Sequence, residues 1–119
     1  MGIKSSFKKV RDNYVINQVK KAKIPEFSAS PVCRIKVIFS GRVQKVGFRL
    51  EVCEMAKRLG LTGYCKNLDS GEVLAELQGP ENKIKFLISF MESLVRIKIL
   101  SKTINKIDVQ PEESDFLKK

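Results

Sequence analysis

A chain of 119 residues has the size of one domain, and its 43% apolar share suffices for a packed core. No apolar run is long enough to span a bilayer, and no continuous apolar stretch marks a secretory signal, so a cytoplasmic protein is expected. The formal net charge is +10 and histidine is absent, which excludes Ser-His-Asp and Cys-His nucleophile pairs, phosphohistidine chemistry and histidine metal ligands.

Residues 1–31 hold seven Lys/Arg against two Asp/Glu, a net +5, and residues 32–119 hold sixteen against eleven, the other +5. The first segment reads as a basic N-terminal extension, partly helical or disordered. Ser5 or Ser6 is expected to cap a helix running to about Ala22, with Phe7, Val10, Tyr14, Val15 and Val19 on one side. Lys23 to Pro31, with Pro25, Ser28, Ser30 and Pro31, reads as a linker. One reading of the extension is a solvated tail; the other is a basic amphipathic helix that contacts a membrane or a protein, which nothing in the sequence specifically supports. Met1-Gly2 with Ser6 fits the N-myristoylation pattern, which has meaning only in a eukaryotic cell.

Residues 32–119 form the second unit. Arg34 to Ser40 alternates, with Ile35, Val37 and Phe39 on one face, and predicts a first strand. Phe48, Val52, Met55, Ala56 and Leu59 then recur at helical spacing, and Gly60 supplies the stop. Thr62 to Lys66 and Val73 to Gln78 predict two strands joined as a hairpin through the turn residues Asp69-Ser70-Gly71. After Gly79-Pro80, the residues Ile84, Leu87, Ile88, Met91 and Leu94 give a second helix. A last strand is expected near Lys102 to Val109, with a short edge strand at Asp115 to Leu117. The order is that of an α+β, ferredoxin-like β-α-β-β-α-β sandwich, an antiparallel sheet with two helices on one face.

The chemistry-bearing segment is Gly41-Arg42-Val43-Gln44-Lys45-Val46-Gly47-Phe48-Arg49, between the first strand and the helix that follows it. Such a loop offers backbone N–H groups and a helix start to an anion, and Arg49 adds a planar fork that binds phosphate bidentately. A cation on the first turn of a helix opposes the macrodipole, and a bound anion offsets that cost. The Gly-x4-Gly-Lys-Ser/Thr nucleotide loop is absent, and no cysteine precedes an arginine at the spacing of cysteine-nucleophile phosphatases. The three cysteines, Cys33, Cys53 and Cys65, lack metal spacing, and Cys53 and Cys65 are expected to be reduced packing residues. A Cys33–Cys65 bridge in an oxidising compartment is left open at this level.

Gly-Arg-Val-Gln-x-Val-Gly-Phe-Arg closely resembles the phosphate-binding loop of the acylphosphatase family. The resemblance continues in order through Leu59-Gly60-Leu61-Thr62-Gly63-Tyr64-Cys65-Lys66-Asn67, Asp69-Ser70-Gly71 and Gln78-Gly79-Pro80, with a weaker match at Ser114-Asp115-Phe116. It covers roughly residues 33 to 119. It implies the same ferredoxin-like fold, and hydrolysis of a carboxyl phosphate to carboxylate and inorganic phosphate without metal or cofactor. It also implies site residues: Arg49 and the loop residues Val43, Gln44, Lys45, Val46, Gly47 and Phe48 for the phosphate, and Asn67 for the attacking water. Without the resemblance, Asn67 reads as an ordinary turn residue.

Three positions depart from the family pattern. Lys45 stands where glycine is usual, and if that residue needs φ > 0 the lysine costs about 1 kcal/mol or more. Leu68 follows Asn67 where some members carry a hydroxyl. Val95 to Leu100 lacks the usual Gly-Pro turn, so the second helix either runs on or ends in a reshaped loop. The expected partner is a small-molecule acyl phosphate, with no nucleic acid, and the chain is expected to be a monomer. The competing readings are a non-catalytic ferredoxin-like module for RNA, membrane or protein, and a carbamoyl-phosphate-handling domain. The strands offer only Phe39 and Tyr64 as aromatics, which does not match an RNA-recognition sheet.

Overall fold

The computed structural model describes residues 3–119, with side chains from Ser6 onward; Met1-Gly2 and their acylation pattern lie outside the described residues. Its elements in chain order are α1 (Ile3–Lys21), β1 (Val32–Arg42), α2 (Phe48–Leu59), β2 (Thr62–Asn67), β3 (Val73–Pro80), α3 (Glu81–Ser93), β4 (Lys98–Ile107) and β5 (Phe116–Lys118). The strands form one sheet in the order β4-β1-β3-β2-β5.

Alternation decides which strand residues turn inward. Ile35, Val37 and Phe39 of β1, Cys65 of β2, and Val73, Ala75 and Leu77 of β3 share one core with Val52, Met55, Ala56 and Leu59 of α2 and Ile84, Leu87, Ile88 and Met91 of α3. Both helices therefore lie on the same side of the sheet. Phe48, the first residue of α2, meets Phe39 with ring centroids 5.0 Å apart, which fixes the helix start against the end of β1. At the other end, Gly60 adopts φ 73 and returns its N–H to Ala56 and Lys57, closing α2 where a side chain at that φ would be strained.

The strands are longer than their local patterns indicate. β1 continues to Arg42 because β4 pairs with it as far as Arg42↔Lys98, across a bulge at Ser40/Gly41. β4 accordingly begins four residues before the expected Lys102. α3 does not run on: Leu94 is extended (φ −77, ψ 125), and a tight turn leads into β4. β5 pairs with β2 in parallel, Gly63↔Phe116 through Cys65↔Lys118, so the sheet is mixed rather than wholly antiparallel. Arg34, buried in the sheet, holds the approach to β5 through Glu113 at 2.7 and 3.1 Å, and Glu76 at 3.0 Å satisfies its remaining face.

α1 departs most from expectation. It begins at Ile3, so Ser5 and Ser6 lie within the helix rather than capping it. Its apolar residues are not buried together: Val15 and Val19 are buried against the domain, whereas Phe7, Val10 and Tyr14 are exposed. At 100° per residue, Phe7, Arg11, Val15 and Val19 form one row four residues apart, of which Phe7, at its N-terminal end, stays exposed, and Val10 and Tyr14 look away from the buried pair. The C-terminal end of the helix is tied down by Arg58, whose Nη1 donates to the carbonyls of Val19 (2.5 Å) and Ala22 (2.6 Å).

The register excludes a Cys33–Cys65 bridge. Cys33 opposes Gly79 and Cys65 opposes Ala75 on β3, so the two thiols are separated by four residues along the sheet, roughly 13 Å, and by two strand spacings. All three cysteines are free. Burial pushes the Cys53 thiol up to about 11 and raises that of Cys65 as well, which leaves both unreactive packing groups.

Candidate active site

Between Arg42 and Phe48 the chain turns through Val43–Gly47. Gly47 sits at the N-cap of α2 with φ 80 and ψ 17, and no side chain caps the helix. The first helical hydrogen bond runs from Glu51 N–H to Gly47 O at 3.0 Å, so the amides of Phe48, Arg49 and Leu50 have no acceptor within the helix. These residues line a small cavity together with Arg11, Val43, Lys45, Gly47, Asn67 and Lys118. Four of the lining residues are cations and none is a carboxylate. A larger groove of about 620 Å³, between α1 and the end of α3, lacks this charge concentration and has only Lys21 and Arg96 as cations.

The structure thus gathers Arg49, Asn67, Val43, Lys45, Gly47 and Phe48 around one space. Arg49 is half-buried, and its Nη1 donates to the backbone oxygen of Lys119, the residue after β5, at 2.8 Å. Asn67 ends β2 and faces the same space, with no hydrogen-bond partner for its side chain among the described residues. Gln44 and Val46 do not line the cavity. The Gln44 amide instead donates from Nε2 to the carbonyls of Leu68 and Glu72, both at 2.8 Å. This joins the loop to the hairpin turn after Asn67, so the two halves of the site are held together by one side chain.

Lys45 takes φ 63, the one positive value outside glycine among the described residues. The position needs the conformation that glycine adopts freely. Lys45→Gly should remove about 1 kcal/mol of left-handed strain and give back part of it as unfolded-chain entropy, a net gain of about 0.5 kcal/mol. The midpoint of urea unfolding measures this; an unchanged or lower midpoint would mean the lysine makes compensating contacts.

One ion pair, fully buried on its Glu51 side and half-buried on its Arg96 side, supports the loop. Arg96, in the turn between α3 and β4, donates from Nε to Val46 O at 2.7 Å and from Nη2 to Glu51 Oε1 at 2.6 Å. In a trans peptide the carbonyl and the following N–H point in opposite directions, so holding the Val46 carbonyl on Arg96 turns the Gly47 N–H to the other side. Glu51 is fully buried, and its Oε2 has no partner among the described residues. Burial raises its pKa above 4.5, and Arg96 opposes the rise.

Arg96→Met should therefore cost about 3–5 kcal/mol near neutral pH, because it strands a buried carboxylate. The folded state holds the Glu51 proton more tightly than the unfolded chain. The variant's stability should thus fall as pH rises from about 4.5 through the raised folded value, and the deficit should shrink in acid. Urea unfolding at pH 5 and pH 8 tests the sign; a deficit independent of pH would show that Glu51 is not its source.

The acylphosphatase family model matches residues 35–117, which span β1 through β5 and include the loop, Arg49 and Asn67. This chain belongs to the acylphosphatase family. It is 49% identical over 61 residues to the acylphosphatase of Picrophilus torridus, covering 51% of this chain and 75% of that protein. It is 39% identical over 84 residues to the acylphosphatase of Geobacillus thermodenitrificans, covering 70% and 89%. Among solved structures, the acylphosphatase of Bacillus subtilis superposes with a TM-score of 0.68 at 27% identity, over 75% of this chain and 99% of that one. The acylphosphatase match begins at β1, so α1 lies outside it.

Three residues at the site escaped the sequence reading: Arg11, Lys118 and Arg96. Arg11 carried a weak signal, since it stands in the i, i+4 row of Val15 and Val19. Lys118 and Arg96 carried none, because only the pairing of β5 and the turn before β4 bring them in.

Proposed function

We propose that this chain hydrolyses acyl phosphates to a carboxylate and inorganic phosphate, with Arg49, Asn67 and the amides of the Val43–Phe48 loop as its working parts. The observation that carries the reading is the convergence of a left-handed glycine, an uncapped helix start, Arg49 and Asn67 on a cavity lined by four cations and no carboxylate. The loop amides and the Arg49 fork hold the non-bridging phosphoryl oxygens. They offset the charge that these oxygens carry as the bond to the leaving group breaks. Asn67 both accepts and donates hydrogen bonds, so its amide holds the water in line with that bond. The leaving carboxylate needs no general acid, and a phosphoryl oxygen takes the proton of the attacking water. No histidine is required for this route, and the chain has none.

Hydrolysis of benzoyl phosphate by the purified protein, in the presence of chelator, tests the proposal. Turnover with product inhibition by inorganic phosphate is the expected result. A folded protein that neither turns over benzoyl phosphate nor binds phosphate would overturn it.

A further inference from the structure

The geometry points to Arg11, on α1, as a further substrate-binding residue that contacts the phosphoryl oxygens across Gly47 from outside the family's shared domain. This inference rests on reading the Val43–Phe48 loop as a phosphate cradle. α1 is held in register by burial of Val15 and Val19, by Arg58 on the carbonyls of Val19 and Ala22, and by Arg96 Nη1 on Gln18 Oε1 at 3.2 Å. That anchoring sets the rotation of the helix. Arg11, one turn before Val15, is therefore laid over the loop rather than into solvent.

The approach is close. A methyl group placed on Gly47 would come within 3.0 Å of Val15 Cγ2 and within 3.5 Å of Arg11 Cδ and Nε. Gly47 thus serves twice: it supplies the left-handed turn, and it lets α1 lie against the cradle. The Arg11 side chain is 30% exposed. Arg11 lines the cavity with Arg49, Lys45 and Lys118.

Its present partner is weak. Nε (3.2 Å) and Nη2 (3.0 Å) share one oxygen of the adjacent Asp12, and Nη1 has no partner among the described residues. An ion pair this exposed contributes little, about 0–1 kcal/mol. A phosphate dianion offers more: two oxygens for a fork, in a cavity whose other lining charges are all positive. Arg11 and Arg49 then approach the same group from α1 and α2.

The test uses the full chain and inorganic phosphate as probe, read by calorimetry and by product inhibition, with benzoyl phosphate kinetics beside them. Arg11→Ala should weaken phosphate binding and raise KM about tenfold each, with kcat within about threefold and the melting temperature unchanged. Arg11→Lys should recover part of the loss, since it keeps the charge but not the fork. Asp12→Asn should tighten phosphate binding by about threefold, because it removes the competing carboxylate. A structural Arg11–Asp12 pair would not produce that gain.

Wild-type phosphate affinity in Arg11→Ala, with affinity lost in Arg49→Ala, would overturn the inference and leave the cradle standing. Equal losses in Arg11→Ala and Arg11→Lys that track a falling melting temperature would also overturn it, as a packing effect. A wild type that binds no phosphate would remove the cradle itself.

Discussion

Arg49→Ala should lower kcat/KM for benzoyl phosphate by about 10³-fold or more, the scale on which a single arginine serves phosphoryl transfer. Two losses combine. The ground state loses the fork that competes with water for the phosphoryl oxygens, and the transition state loses the charge that offsets their electron density. Inorganic phosphate binding should fall with activity. Stability should barely change, within about 0.5 kcal/mol, because the only hydrogen bond that the Arg49 side chain makes among the described residues is to the Lys119 backbone oxygen. Relief from the unfavourable helix dipole also works in the variant's favour. Arg49→Lys is the sharper probe: it keeps a cation but cannot bind two oxygens in one plane, so most of the activity should stay lost. Substantial turnover in either variant would remove Arg49 from the reaction.

Asn67→Ala should separate binding from chemistry. It should lower kcat by about 10²-fold while phosphate affinity stays within about threefold of wild type. The reason is positional. Asn67 reaches the cavity from the end of β2, a different element from the loop that carries the amides, and under the proposed mechanism it addresses the attacking water rather than the phosphoryl oxygens. Its side chain has no other partner among the described residues, so truncation strands no buried group. Asn67→Asp is a useful companion. It keeps the acceptor but loses the donor and adds a negative charge beside the substrate, so it should be at least as slow as the alanine variant. A loss of phosphate affinity as large as the loss in kcat would make Asn67 a binding residue instead.

The parts of this molecule legible from sequence were those whose information is local. The loop, Gly47 and Arg49 lie within nine residues, and the helix stripe after them marks where the cradle meets α2. The two domain helices announced themselves because each has one sheet to cover, and their apolar residues recur at a single period. Lys45 could be singled out because it stands where the resemblance to the family expects glycine; that the position takes φ 63 was settled by the structure. By contrast, β5 is three residues long, and nothing in Phe116-Leu117-Lys118 says that it pairs in parallel with β2. The start of β4 was missed because Lys98 to Ser101 do not alternate; their strand geometry comes from β1 across a bulge. α1 misled in a different way. Five apolar residues looked like one face, but only Val15 and Val19 meet the domain; Phe7 lies too far along the same row, and Val10 and Tyr14 point away from it. Arg11 acquires its place only through that docking, and Arg96 through the turn before β4, so local pattern alone could assign neither.

The two edges of the sheet bear on solubility. β5 is too short to template a neighbouring chain, but β4 offers ten residues of open backbone with Leu100 and Ile104 exposed. Lys98, Lys102 and Lys106 recur along that strand every fourth residue. A second molecule arriving edge to edge would bring its own lysines against them, and like charges at strand spacing repel. Part of the chain's positive charge thus lies along its longest unpaired edge, where Lys98 and Lys106 oppose edge-to-edge pairing and Lys102 is shared with Glu92 of α3 at 2.7 Å.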